Sequence, residues 1–207
     1  MSKLKEEKIL VFPRKGLITK FLKQGCFNFN EENLTEIIPD AVYGTRHIIE
    51  ENQNFKQIIS YVAIINDGKV FVYKRGSAGG ENKLHDLYSI GVGGHVDLEN
   101  DDGKNAYDVI FDACIREVEE EVELTIQREY LKIKAYINDD SEANSGVGKV
   151  HFGLCFVVNE HFDLNKGELD NLKERVFMSK KEIEEIYDSL EEWSKLFYNE
   201  VIKELIN

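Results

Sequence analysis

Five glutamates crowd seven positions in the stretch Arg116-Glu117-Val118-Glu119-Glu120-Glu121-Val122-Glu123-Leu124. Apolar residues run through it at helical spacing: Tyr107, Phe111, Cys114, Val118 and Val122 follow one another by four, three, four and four positions, one stripe of a helix. On such a helix Glu117, Glu120 and Glu121 stand at i, i+3 and i+4, so their carboxylates share a face beside the stripe. Left alone, each like-charged pair costs roughly 0.2–0.5 kcal/mol, and the helix dipole disfavours anions in the last turns. Arg116 can reach Glu119 and Glu120 and relieves part of the repulsion. A divalent cation would relieve most of it, and converging carboxylates suit hard, oxygen-preferring Mg2+ or Mn2+. Taken by itself, the helix is equally compatible with a solvated acidic face on an acidic protein.

A second chemical signal lies upstream. Tyr88, Ser89 and Ile90 lead into Gly91, Gly93 and Gly94. A strand that runs into glycines lets backbone approach a ligand closely, and bare amides can cradle phosphate oxygens. Alone, the glycines also fit a bulge or a turn. His85 and His95 flank this strand and fit neutral, hydrogen-bonded side chains better than ligands. His47, His151 and His161 show no metal spacing with a cysteine or another histidine.

Together, Gly94 and the core Arg116-Glu117-Val118-x-Glu120-Glu121-x-x-Leu124 resemble the Nudix box of the Nudix hydrolase family, G-x5-E-x7-R-E-U-x-E-E-x-G-U, where U is a bulky aliphatic residue. Three departures stand out. The first box glutamate falls on Asp108, and the box glycine is replaced by Glu123, so the helix is expected to end without a glycine's left-handed freedom. Asp108 also follows Gly94 by 14 positions rather than six, which places eight extra residues in the loop 97–104, an insertion cheap in stability.

The resemblance implies an α/β fold, a Nudix-type α/β/α sandwich with a mixed β-sheet between helices. It also implies hydrolysis of a diphosphate bond in a nucleoside diphosphate linked to another moiety, with Mg2+ or Mn2+ as cofactor. Carried onto this chain, Glu117, Glu120 and Glu121 are metal ligands, with the Gly94 carbonyl a fourth. Glu117, Glu120 and Arg116 are the catalytic set: Glu117 doubles as the base and Arg116 orients the carboxylates. Glu142 and Glu168 are alternative bases in loops. Gly93 and Gly94 contact phosphate, and Arg75 pairs either with substrate phosphate or in an ordinary salt bridge. The implied partner is a small-molecule nucleotide-diphosphate substrate, and a homodimer is the assembly such proteins commonly form. A non-catalytic nucleotide-binding sensor is the main rival, disfavoured because all three box glutamates are kept. A prenyl-diphosphate isomerase would need a reactive cysteine, and Cys114 and Cys155 both read as core residues.

The elements that must position these groups follow from pattern. Residues 58–65 and 69–75 read as strands joined at Asn66-Asp67-Gly68, a tight hairpin, with a glycine-rich loop over 76–80. Asn105 is the N-cap of a helix over 106–121. Strands are expected over 131–137 and 150–158. Ser179-Lys180-Lys181-Glu182 is a capping box, and Ile183, Ile186, Tyr187 and Leu190 form the stripe of the helix behind it. A second stripe (Trp193, Leu196, Phe197, Val201, Leu205) continues toward the end of the sequence. Upstream, 9–12 is a short apolar run closed by Pro13, and 16–29 reads as a helix. Residues 1–57 are expected as an extension packing on the core or making a partner surface, and 58–207 as the Nudix domain with its C-terminal helices.

Composition bounds the partners. The chain has 207 residues, a net charge of −13 and 42% hydrophobic residues, enough for a core. An acidic chain has no electrostatic footprint for duplex nucleic acid or an anionic membrane. Three cysteines, Cys26, Cys114 and Cys155, form no C-x-x-C pair and read as small core residues in a reducing compartment. With no long apolar segment, a cytoplasmic protein is expected.

Overall fold

A computed structural model of the chain describes residues 7–75, 87–98, 104–141, 147–160 and 175–207. Its framework is β4 (Phe55–Asn66), a strand of 12 residues. Alternate side chains of β4 enter opposite layers: Ile58, Val62 and Ile64 join one core, Tyr61, Ala63 and Ile65 the other. That period of two is the signature of a strand covered on both faces. The chain reverses at Asp67-Gly68, both at positive φ (50° and 73°), and returns as β5 (Lys69–Lys74) with Asn66 opposite Lys69. Positive φ at both central residues is the hairpin turn whose twist matches the strands.

β8 (His151–Asn159) runs parallel to β4, from Gln57↔His151 to Ile65↔Asn159. β7 (Lys132–Asn138) lies antiparallel to β8, so the sheet is mixed, as expected. The N-terminal residues are woven into it. β1 (Lys8–Pro13) pairs with both β4 and β3 (Val42–Thr45), and β2 (Gly25–Asn28) pairs with β7. Among the described residues the sheet has nine strands, in the order β2-β7-β8-β4-β1-β3, with β6 (Tyr88–Ser89) and β9 (Arg175–Met178) joined through β5. The 57/58 boundary expected from sequence therefore falls inside β4. The helix expected over 16–29 does not form: a 3-10 turn (Leu17–Phe21) is followed by β2. Gly25 sits at φ 121°, a conformation no helix uses, and Asn30 instead caps the next helix, α1 (Glu31–Ile37).

Helices cover both faces. α1 and α3 (Ala106–Val122) pack Leu34, Ile37, Ile110, Phe111, Cys114 and Val118 on one side. Asn105 caps α3 by accepting from the Asp108 amide at 2.9 Å. α5 (Lys180–Glu185), opened by the Ser179–Glu182 capping box, and α6 (Glu192–Glu200) pack Ile183, Phe197 and Tyr198 on the other. Single turns complete the set, α2 (Arg46–Ile49) after β3 and α4 (Val147–Val150) before β8. Among the described residues no helix is long and apolar enough to cross a membrane. The loop 76–80, His85, His161, residues 99–103 of the insertion, and both loop glutamates Glu142 and Glu168 lie outside the described residues.

One ionic cluster ties the N-terminal strands to the rest. Lys56, with no exposed side-chain surface, donates to Asp140 Oδ1 and to Gly148 O, each at 2.9 Å. Arg14 pairs with the same carboxylate and donates to Lys149 O at 2.8 Å. Burial pulls the Lys56 ammonium down to about 8, opposed by Asp140. Asp140 is pushed up by burial, yet hydrogen bonds from Arg14, Lys56 and Asn138 hold it at about 2.

Candidate functional site

The glycine segment lies along the middle of β4. Val92 and Val62 exchange backbone hydrogen bonds at 2.9 and 2.7 Å, and Ser60 N donates to Gly94 O at 3.0 Å. Isolated bridges continue the ladder at Ile59↔His95 and at Ile9↔Asp97 on β1. A side chain at Gly93 would collide with the Ser60 carbonyl, and one at Gly91 with the Tyr61 ring. These two glycines therefore let the segment lie flat on β4.

Gly94 meets the box helix. A Cβ there would stand 2.7 Å from both Glu117 carboxylate oxygens. Glu117, 12% exposed, is the inward member of the acidic trio; Glu120, 58% exposed, and Glu121 face outward. Burial lifts Glu117 to about 7; Arg116 pulls it down, and Glu121 and Glu120 push it up. The three carboxylates thus act electrostatically on one another, as the spacing required.

Arg116 is the hub. It contacts Glu117 at 2.9 Å, Glu120 at 3.1 Å and Asp97 at 3.2 Å, and donates to the His95 carbonyl at 3.3 Å. Sequence spacing found the Glu120 contact but assigned Asp97 only to a polar loop. α3 ends at Glu123, whose φ of 60° is left-handed, with its amide on Glu119 O at 3.0 Å. Contrary to the expectation from sequence, the helix does end left-handed: a glutamate adopts that conformation, at a cost of roughly 1–2 kcal/mol. Asp108, at the first-glutamate position, sits in the opposite end turn of α3 and pairs with Arg128 at 2.5 Å, apart from the trio.

Arg75 is committed elsewhere. Its Nε and a terminal nitrogen reach Glu191 at 2.5 and 3.2 Å, so of the two sequence alternatives the structure shows the salt bridge. His95 is held neutral, at about 3, by burial first and then by the charges of Arg46 and His151; its Nε2 shares a hydrogen bond with Gln57 Oε1 at 2.9 Å. All three cysteines are free and buried, and burial raises the thiol pKa of Cys114 and Cys155, which leaves no activated thiolate for isomerase chemistry.

Comparison with known proteins agrees with this geometry. No protein-family model matches the chain. It is 31% identical over 204 residues to protein YmaB of Bacillus subtilis (strain 168), spanning 92% of this chain and 95% of YmaB. The crystal structure of Tm1382, a candidate Nudix hydrolase, superposes with a TM-score of 0.72 at 28% identity over 92% of this chain and 95% of that one. A bifunctional NMN adenylyltransferase/ADP ribose pyrophosphatase from Francisella tularensis shares the fold at 16% identity, with a TM-score of 0.50 over 72% of this chain and 42% of its own. The chain belongs to the same family as YmaB, and its fold and box motif are those of Nudix proteins.

Proposed function

We propose that the protein is a divalent-metal-dependent pyrophosphohydrolase that cleaves the diphosphate bond of a nucleoside diphosphate linked to another group. The observation that carries this is Glu117: a largely buried carboxylate set against Gly94 and paired with Arg116, on the helix face it shares with Glu120 and Glu121. Among the described residues no three acidic, histidine or cysteine side chains already enclose a metal. The donor chemistry nevertheless fits: Glu117, Glu120 and Glu121 share one helix face and would close on an ion by rotation of the two exposed side chains, with Gly94, whose carbonyl accepts from Ser60 N and Ser60 Oγ, against Glu117. Bound there, Mg2+ or Mn2+ would neutralise charge on the bridging and leaving oxygens and acidify a water.

The chain's own residues do the rest. Glu117, set against Gly94 and held by Arg116, is the group that accepts a proton from the attacking water in this reading. Arg116 holds Glu117 and Glu120 in register through its forked contacts. Gly93 and Gly94 keep the wall bare so that phosphate oxygens can approach backbone.

A panel of dinucleotides, nucleotide sugars and nucleoside triphosphates with Mg2+ or Mn2+ is the test. Release of phosphate or a nucleoside monophosphate from one of them, lost in Glu120→Gln, is the expected result. Tight nucleotide binding without turnover, unchanged in Glu120→Gln, would overturn it in favour of a sensor.

A further inference from the structure

Behind the glycine segment, on the face opposite α3, lies a buried polar network. Glu191, 3% exposed, is the residue that opens α6. Its Oε1 accepts from Tyr61 Oη at 2.9 Å and from Ser89 Oγ at 2.7 Å, and Arg75 lies along its other edge. Ser194, one turn on, stands 2.8 Å from Tyr61 Oη and accepts from the Ile90 amide at 3.0 Å. Ser89 Oγ also stands 2.9 Å from Gly91 O, and Tyr73 Oη donates to that carbonyl at 3.1 Å. Ser89, Ile90 and Gly91, at the start of the segment whose far end carries Gly94, are all held by this network.

From Val92 onward backbone hydrogen bonds to β4 set that segment's register; the stretch before Val92 is where this network acts. Ser89–Ile90–Gly91 has almost no ladder of its own, since β6 is two residues long. Its three glycines, Gly91, Gly93 and Gly94, have no side chain with which to resist sliding. A carboxylate buried this deeply is expensive to place unless its partners are fixed, and here each partner sits on a different strand: Tyr61 on β4, Ser89 on β6, Arg75 just beyond β5.

We infer that Glu191 is a positioning residue for the carboxylate site. By holding Ser89 and Tyr61 it fixes where Gly91–Gly94 crosses β4, and so where Gly94 rests against Glu117, with Arg75 as its charge partner rather than a phosphate ligand. The inference rests on the assignment of Glu117 and Gly94 to a metal site. It makes the C-terminal helices part of that site's geometry, although none of their residues touches it.

The test measures Mn2+ affinity by the paramagnetic resonance of free Mn2+, with no substrate present. Glu191→Gln keeps an oxygen acceptor but loses the charge that Arg75 and the hydroxyls converge on. We expect it to fold and to bind Mn2+ about tenfold more weakly, the usual size for groups that orient metal ligands. Arg75→Met should move affinity the same way. Phe197→Leu, a core change in the same helix, serves as the control matched for loss of thermal stability. The inference is overturned if Glu191→Gln binds as tightly as wild type, or if Phe197→Leu weakens Mn2+ as much. Wild-type protein that binds no Mn2+ removes the carboxylate-site assignment itself, and this inference with it.

Discussion

Glu117 separates two demands on one side chain. Burial and its acidic neighbours make the charged form unfavourable without a cation, and folding therefore takes up a proton between the ordinary carboxylate value of 4.5 and about 7. The folded state binds more protons than the unfolded one across that window, so this group's contribution to stability falls as pH rises through it and is level above. Glu117→Gln should thus be more stable than wild type by roughly 1–3 kcal/mol at pH 8 in EDTA, and nearly equal at pH 4. Urea melts at the two pH values check this, and saturating Mg2+ should shrink the difference. The glycines give a second contrast. Gly94→Ala meets the tip of a flexible side chain, so it should fold while weakening Mn2+ binding about tenfold. Gly93→Ala meets the Ser60 backbone and should lose about 3 kcal/mol or more of stability.

The trio of glutamates and Arg116 was legible because helical spacing is local. Asp97 and Glu191 were not. Asp97 reaches Arg116 across a loop, and Glu191 meets Arg75 from 116 positions away; no short-range pattern marks either residue.

At the scale of elements, the strongly patterned pieces were visible in advance. The β4–β5 turn, the Asn105 cap and the Ser179 capping box each carry their own stereochemical instruction. The N-terminal strands carry little. β2 and β3 are four residues each, too short for alternation to show, and the apolar residues around Gly25 fit a helix until Gly25's positive φ and the Asn30 cap are taken into account. The end of α3 offers a clean measurement. Glu123 occupies a left-handed position, so Glu123→Gly should raise stability by roughly 0.5–1 kcal/mol, less than the strain removed because glycine also loosens the unfolded chain. Thermal unfolding with the metal absent reads the effect without interference from the site.

Taken whole, the molecule does not divide where its recognisable motif begins. Phe12, Ile18, Phe29, Leu34 and Ile37 share a core with α3, and Asp140 binds Arg14, just past β1, and Lys56, at the start of β4. A fragment of residues 58–207 should therefore fail to give a dispersed amide NMR spectrum, whereas an independent domain would give one. Asp140→Ala strands a fully buried ammonium and should destabilise the protein by about 3 kcal/mol, measured by urea titration at pH 7.

The same weave sets a timetable. β2 pairs with β7, and the Asn138 amide donates to Leu22 O, 116 residues earlier in the chain. At roughly 5–20 residues per second a ribosome needs several seconds to deliver that partner. Until then Phe27 and Phe29 lack Tyr136, their ring partner on β7, so this chain completes its sheet only late in translation, and chaperones that shield nascent apolar segments should matter more to its yield than to its final stability.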